Sequence, residues 1–124
     1  MLAEVLFREG FAVCGIARTV KEALILADQN RPQLAVVDVR LAKGDRGTAV
    51  APMLIAKYNT GILYTTGNAE GLSDASGQAL LIKPFKLHDV KLALDVVCEI
   101  VEAGQASGPF PPNLILLQPA SAAL

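Results

Sequence analysis

The hydrophobic positions along this chain change their period several times. Leu2, Val5 and Leu6 recur at helical spacing until Gly10, which predicts a short first helix. Residues 11–16 are apolar and bounded by glycine, a strand pattern. Thr19 then precedes a stripe of Val20, Ala23, Leu24 and Ala27, with Glu22 three residues after the threonine. That is a capped amphipathic helix, and Asn30-Arg31-Pro32 ends it. Leu34-Ala35-Val36-Val37 is an unbroken apolar run that stops at Asp38. A glycine-rich charged loop spans residues 43–47, and a helix is expected over residues 48–58. Pro52 inside it predicts a late start or a kink. After the turn Asn59-Thr60-Gly61 comes a third apolar run, Ile62-Leu63-Tyr64-Thr65, ending at Thr66-Gly67. A weak polar helix is expected over residues 69–76. Residues 79–82 form a fourth strand that ends at Lys83-Pro84-Phe85, and Leu87, Val90, Leu94, Val97, Cys98 and Val101 mark the last helix.

Strands therefore alternate with helices, the pattern of a parallel sheet with right-handed crossovers. Short unbroken apolar strands belong to a sheet covered on both faces. Residues 104–112 read as a Gly/Pro/Ser-rich linker, and residues 113–124 as a tail carrying the apolar run Leu114-Ile115-Leu116-Leu117.

Composition narrows the function classes. With 124 residues, 52% of them hydrophobic and 19% charged, the chain can fill one core and is too apolar for disorder. Its net charge of -1 without a basic stripe argues against direct nucleic-acid binding. No run of about 18 apolar residues suggests a membrane span, and the opening residues do not resemble a signal peptide, so the cytoplasm is the expected location. Cys14 and Cys98 are read as reduced core thiols. There is no Gly-rich phosphate loop and no pairing of a base with a nucleophile, which disfavours an enzyme.

The candidate chemistry lies at strand ends. Asp38, Thr66 and Lys83 each follow directly on an apolar strand, and the carboxyl ends of parallel strands share one edge where ligands bind. A carboxylate, a hydroxyl and an ammonium brought together there suit an anion beside a nucleophile or metal ligand.

Val36-Val37-Asp38-Val39-Arg40-Leu41, Tyr64-Thr65-Thr66-Gly67 and Ile82-Lys83-Pro84-Phe85 resemble the three signature segments of the receiver domains of two-component response regulators, in the family's order and spacing. The resemblance covers residues 1–103. It implies a flavodoxin-like, doubly wound, five-stranded parallel α/β sheet. It also implies that Asp38 accepts a phosphoryl group from a partner kinase's phosphohistidine, that Thr66 is the switch hydroxyl and that Lys83 pairs with the phosphate. Pro84 would shape the turn through a cis peptide, and the Arg40 carbonyl, with Asp38, would ligate Mg²⁺. The partners implied are a sensor histidine kinase or phosphotransfer protein and a downstream protein target, with a homodimer as a further form.

The sequence departs from the family at two places. The first strand and its Mg²⁺-binding acidic pair have no counterpart, because the chain begins inside the first helix, and Glu4 and Glu9 lie on that helix. A mistaken start codon would explain this. So would replacement of the strand by residues 113–117, running parallel within the chain or swapped from a second copy, with Gln118-Pro119 where the acids belong. The position of the family's aromatic switch residue holds Leu80. Asp45 and Lys43 are read as solvated loop charges, with Asp45 as the substitute acid in the sharper reading. His88 is read as a surface residue, and Tyr58 and Tyr64 as packing residues. Two functions stand side by side: a phosphoacceptor receiver without an output domain of its own, and a pseudo-receiver that acts as a phosphorylation-independent interaction module.

Overall fold

Successive residues of a strand leave a sheet on opposite sides, and here both sides are apolar. The computed structural model describes residues 6–8, 10–12, 15, 17–41, 44–73 and 75–117. Within them run α1 (Val20–Asn30), β1 (Leu34–Asp38), α2 (Gly47–Tyr58), β2 (Gly61–Thr66), β3 (Ala79–Ile82), α3 (Leu87–Ala103) and β4 (Leu114–Leu116). Residues 6–8 are helical. The strands form one sheet in the order β1-β2-β3-β4, the first three parallel and β4 antiparallel to β3.

Val37, Ile62, Tyr64 and Leu80 face α1 and α2, where they meet Ala27, Val50, Ala51 and Leu54. Leu63, Ala79 and Leu81 face α3, meeting Val90, Ala93, Leu94 and Val97. The central strand β2 is buried along its whole length, and each of its large apolar side chains contributes about 1.5–3 kcal/mol by leaving water. This sandwich of helices on both faces is the doubly wound α/β arrangement.

The helix ends follow local chemistry. The Thr19 hydroxyl accepts the Glu22 N–H at 3.2 Å, and Asp45 Oδ2 accepts the Val20 N–H at 2.9 Å, so two of the unpaired donors at the start of α1 are satisfied. Arg31, Asn59 and Gly104 adopt the left-handed conformation and close α1, α2 and α3, as helix ends commonly do.

Three expectations are corrected. The helix α2 starts at Gly47, earlier than expected, and continues through Pro52. Pro52 sits on the exposed side of the helix, while Val50, Ala51 and Leu54 bury the other, so the carbonyl that loses its partner lies near solvent. Residues 69–76 are a series of turns among the described positions, not a helix. Gly71 has a positive φ of 78°, and the Leu72 and Ala75 N–H groups close tight turns on the Ala69 and Leu72 carbonyls.

The C-terminal segment does not replace a parallel strand. Leu114, Ile115 and Leu116 pair antiparallel with Leu81, Leu80 and Ala79, on the opposite edge of the sheet from β1. The physical reason is the chain's return path. Residues 104–113 lead back along α3, where the Ser107 N–H donates to Glu99 Oε2 at 3.2 Å, and reach the carboxyl end of β3, with the Asn113 carbonyl accepting the Ile82 N–H at 3.0 Å. The sheet has four strands among the described residues. The strand expected over residues 11–16 falls partly on Val13, Cys14 and Ile16, which lie outside the described residues, and Phe11, Ala12 and Gly15 carry no strand pairing. No helix among the described residues is long and apolar enough to cross a membrane.

Candidate functional site

β1 and β3 flank β2, and all three point their carboxyl ends the same way. That geometry brings Asp38 and Lys83 together across 45 positions of sequence: Lys83 Nζ donates to Asp38 Oδ2 at 3.0 Å. The second carboxylate oxygen, Oδ1, accepts the Arg40 N–H at 3.0 Å. Both side chains keep contact with water, at 40% exposure for Asp38 and 49% for Lys83. The carboxylate is reachable from solvent, and its ion pair is of the weakly stabilising, solvent-screened sort.

The loop after β1 is tied back under the carboxylate. The Gly47 N–H donates to the Val39 carbonyl, the Leu41 N–H donates to the Asp45 carbonyl, and Arg40 and Arg46 form an isolated antiparallel bridge. A β-carbon on Gly47 would overlap the Asp38 carbonyl oxygen and crowd the Val37 side chain. The absence of a side chain there is what lets α2 start directly beneath the site.

Thr66 stands at the end of β2 and is buried. Its hydroxyl is not on Asp38 or Lys83: it donates to the Asn68 carbonyl at 2.9 Å and accepts the Asn68 N–H at 3.2 Å. Its main-chain carbonyl accepts the Lys83 N–H at 2.8 Å, so the threonine holds the lysine's backbone while its hydroxyl holds its own loop. The Lys83–Pro84 peptide is cis, and Asn113 Nδ2 donates to the Pro84 carbonyl at 3.1 Å. Leu80 is buried in β3, between Tyr64 of β2 and Ile115 of β4.

Mg²⁺ takes oxygen ligands in a near-ideal octahedron. Within the described residues the sequence nominates Asp38 and the Arg40 carbonyl as donors, with Asp45 in the sharper reading, and no three acid, histidine or cysteine side chains stand together there. The described residues therefore do not make up the donor set the resemblance implies. Asp45, the substitute acid in one reading, spends Oδ2 on the N-terminus of α1. Glu4, Glu9, Lys43, Cys14, Gln118 and Pro119 lie outside the described residues. His88 is exposed at the start of α3.

Sequence reasoning missed three supports of this edge. Gly47 carried a signal only as part of a glycine-rich loop. Asn113 sat in an unassigned tail. Tyr64 is more than packing: its hydroxyl donates to the Ser76 carbonyl at 2.6 Å, and burial pushes its pKa up to about 12. Cys98, expected in the core, is half-buried on the outer side of α3 beside Glu102. Burial first, then the charge of Glu102, raises its pKa, which keeps it a thiol and a poor nucleophile.

No family model matches the chain. Among curated proteins it is similar to the transcriptional regulatory protein PdtaR of two Mycobacterium tuberculosis strains, with 32% identity over 100 residues. The match covers 77% of this chain and 48% of PdtaR, so the chain spans about half the length of the curated relatives it matches. Among solved structures, the signal receiver domain of a modulated diguanylate cyclase from Desulfovibrio desulfuricans aligns with a TM-score of 0.72 and 22% identity, over 84% of this chain and 86% of that one. A response regulator from Burkholderia pseudomallei, solved with a phosphorylated aspartic acid, a calcium ion and citrate, aligns with a TM-score of 0.67 and 28% identity, over 83% of this chain and 63% of that one. The chain belongs to the receiver-domain family of response regulators. Its flavodoxin-like fold agrees with that of its structural neighbours. In this receiver domain the carboxylate and ammonium are in direct contact, and the hydroxyl is adjacent but turned away.

Proposed function

We propose that this receiver domain accepts a phosphoryl group on Asp38 from a phosphohistidine of a sensor kinase or phosphotransfer protein, and passes the signal to a downstream protein in the cytoplasm. The contact between Asp38 Oδ2 and Lys83 Nζ carries this reading. Phosphoryl transfer asks a protein mainly for positioning and charge neutralisation. The Asp38 carboxylate attacks phosphorus, a P–O bond forms as the P–N bond breaks, and the electron pair leaves with the imidazole nitrogen, which takes up a proton. Lys83 then shifts its pairing from the carboxylate to a phosphoryl oxygen, where a charge-assisted bond is stronger. Thr66 exchanges its hydrogen bond to Asn68 for one to the phosphate. The new charge of about -1.5 to -2 supplies the pull on the loop after β2.

Mg²⁺ belongs to the family's chemistry, and its place in this chain is part of the proposal: Asp38 and the Arg40 carbonyl are the ligands assigned to it. No step above passes through the metal. The second reading is a pseudo-receiver that binds partners without phosphate. What favours it is the short supply of metal donors among the described residues.

Incubation with a small-molecule phosphodonor, with and without Mg²⁺, followed by intact-mass measurement, separates the readings. A phosphate adduct that disappears in Asp38→Asn supports the phosphoacceptor. A folded protein that gains no adduct under either condition supports the pseudo-receiver.

A further inference from the structure

β4 presents an edge whose composition and register both suit a copy of itself. The Ile82 N–H donates to the Asn113 carbonyl, and the Leu117 N–H donates to the Gln78 carbonyl. Antiparallel ladders alternate their hydrogen-bonding residues, so Asn113, Ile115 and Leu117 turn their main-chain groups toward β3. Leu114 and Leu116 turn theirs away from it. Among the described residues no strand pairs on that outer side, and the only element that β4 contacts extensively is β3.

Edge strands usually carry a device against pairing, such as a lysine, an inward charge or a covering helix. Here residues 104–124 contain no Asp, Glu, Lys, Arg or His. Ile115 is 42% and Leu116 47% exposed. Pro111 and Pro112 lie just before the strand and confine any added pairing to β4 itself, because proline donates no ladder hydrogen bond.

We infer that the outer edge of β4 docks β4 of a second copy of this chain, antiparallel about a two-fold axis that passes between facing Ile115 side chains. In that register Leu114 of one copy faces Leu116 of the other, and the two exchange both main-chain hydrogen bonds. The symmetry repeats the pair, which makes the interface isologous and closed. The two four-stranded sheets join into one continuous sheet. The occupant is a second copy because the register is self-complementary and the edge offers no charge for a differently charged strand to answer. The pairing does not depend on phosphate, so it stands apart from the function proposed above.

Sedimentation equilibrium of the full chain over a concentration series tests this, with Ile115→Lys and Ile115→Glu as probes. Two lysines, or two glutamates, would face each other at the axis, where like charges repel. The wild type is expected to show a reversible monomer–dimer equilibrium. Each variant is expected to weaken it about tenfold or more, and an equimolar mixture of the two to recover it. Circular dichroism reports that the variants are folded. If neither Ile115 variant folds, Leu116→Lys places the charge on the more exposed neighbour and is expected to weaken the same equilibrium. A wild type that stays monomeric throughout overturns the inference. So does a dimer that folded variants leave unchanged, or a mixture that fails to recover what the single variants lose.

Discussion

The Lys83 ammonium lies 3.0 Å from Asp38 Oδ2, bridging the carboxyl ends of two parallel strands that flank a third. Because both side chains are substantially exposed, the pair contributes only about 0–1 kcal/mol to stability. In the proposed phosphoryl transfer its value lies in charge neutralisation at the edge. Lys83→Ala is therefore expected to leave the urea midpoint nearly unchanged. It should slow Asp38 phosphorylation by a small-molecule donor about a hundredfold, the cost of losing one preorganised donor to a developing anion. Comparing urea melts with adduct-formation rates checks both halves.

Gly47 is the tightest point beneath the site. Its missing β-carbon leaves room for the Asp38 carbonyl. Gly47→Ala is expected to push α2 away from β1 and destabilise the fold by about 1–3 kcal/mol, the range for overpacking a well-filled position. Chemical denaturation measures the loss. Gly67→Ala serves as the control, since a β-carbon there meets nothing within 4 Å.

Tyr64 ties the turns of residues 69–77 to the sheet through its hydrogen bond to the Ser76 carbonyl. Tyr64→Phe is expected to cost about 1 kcal/mol. The tyrosine also gives stability an alkaline limb. Its folded pKa is raised from 10.0 to about 12, so the folded state holds the proton more tightly. That stability is fully present below pH 10 and is lost as pH rises toward about 12. Denaturant midpoints across that window should fall in the wild type and fall less steeply in Tyr64→Phe.

The start of α1 has two caps, one local and one distant. Thr19→Ala removes the acceptor for the Glu22 N–H, and Asp45→Ala removes the acceptor for the Val20 N–H. Each is expected to cost about 1 kcal/mol. The Asp45 variant should also loosen the loop after β1, which hydrogen exchange at the Leu41 amide would report.

The legible parts of the chain were those with a local cause. The apolar runs of β1, β2 and β3 each stop at a polar residue, and the Thr19-to-Glu22 cap is written in four consecutive positions. The placement of Asp38 beside Lys83 followed from parallel topology alone. What was not legible depended on contacts distant in sequence. Leu114-Ile115-Leu116 could pair with any open edge, and its choice of β3 rests on the Asn113 and Leu117 hydrogen bonds. The polar segment at residues 69–76 matched a weak helical period, but Gly71 and the burial of Leu72 favour turns. The Thr66 hydroxyl could be placed at the edge from sequence, but its choice of Asn68 as partner could not.

The most direct test of the central claim locates the phosphoryl group. Protein treated with a small-molecule phosphodonor is reduced with borohydride, which converts an aspartyl phosphate to homoserine, and the peptides are sequenced by mass spectrometry. The account predicts homoserine at position 38 in the wild type and at no position in Asp38→Asn. Homoserine at another carboxylate, or none anywhere in a folded and treated protein, would contradict it.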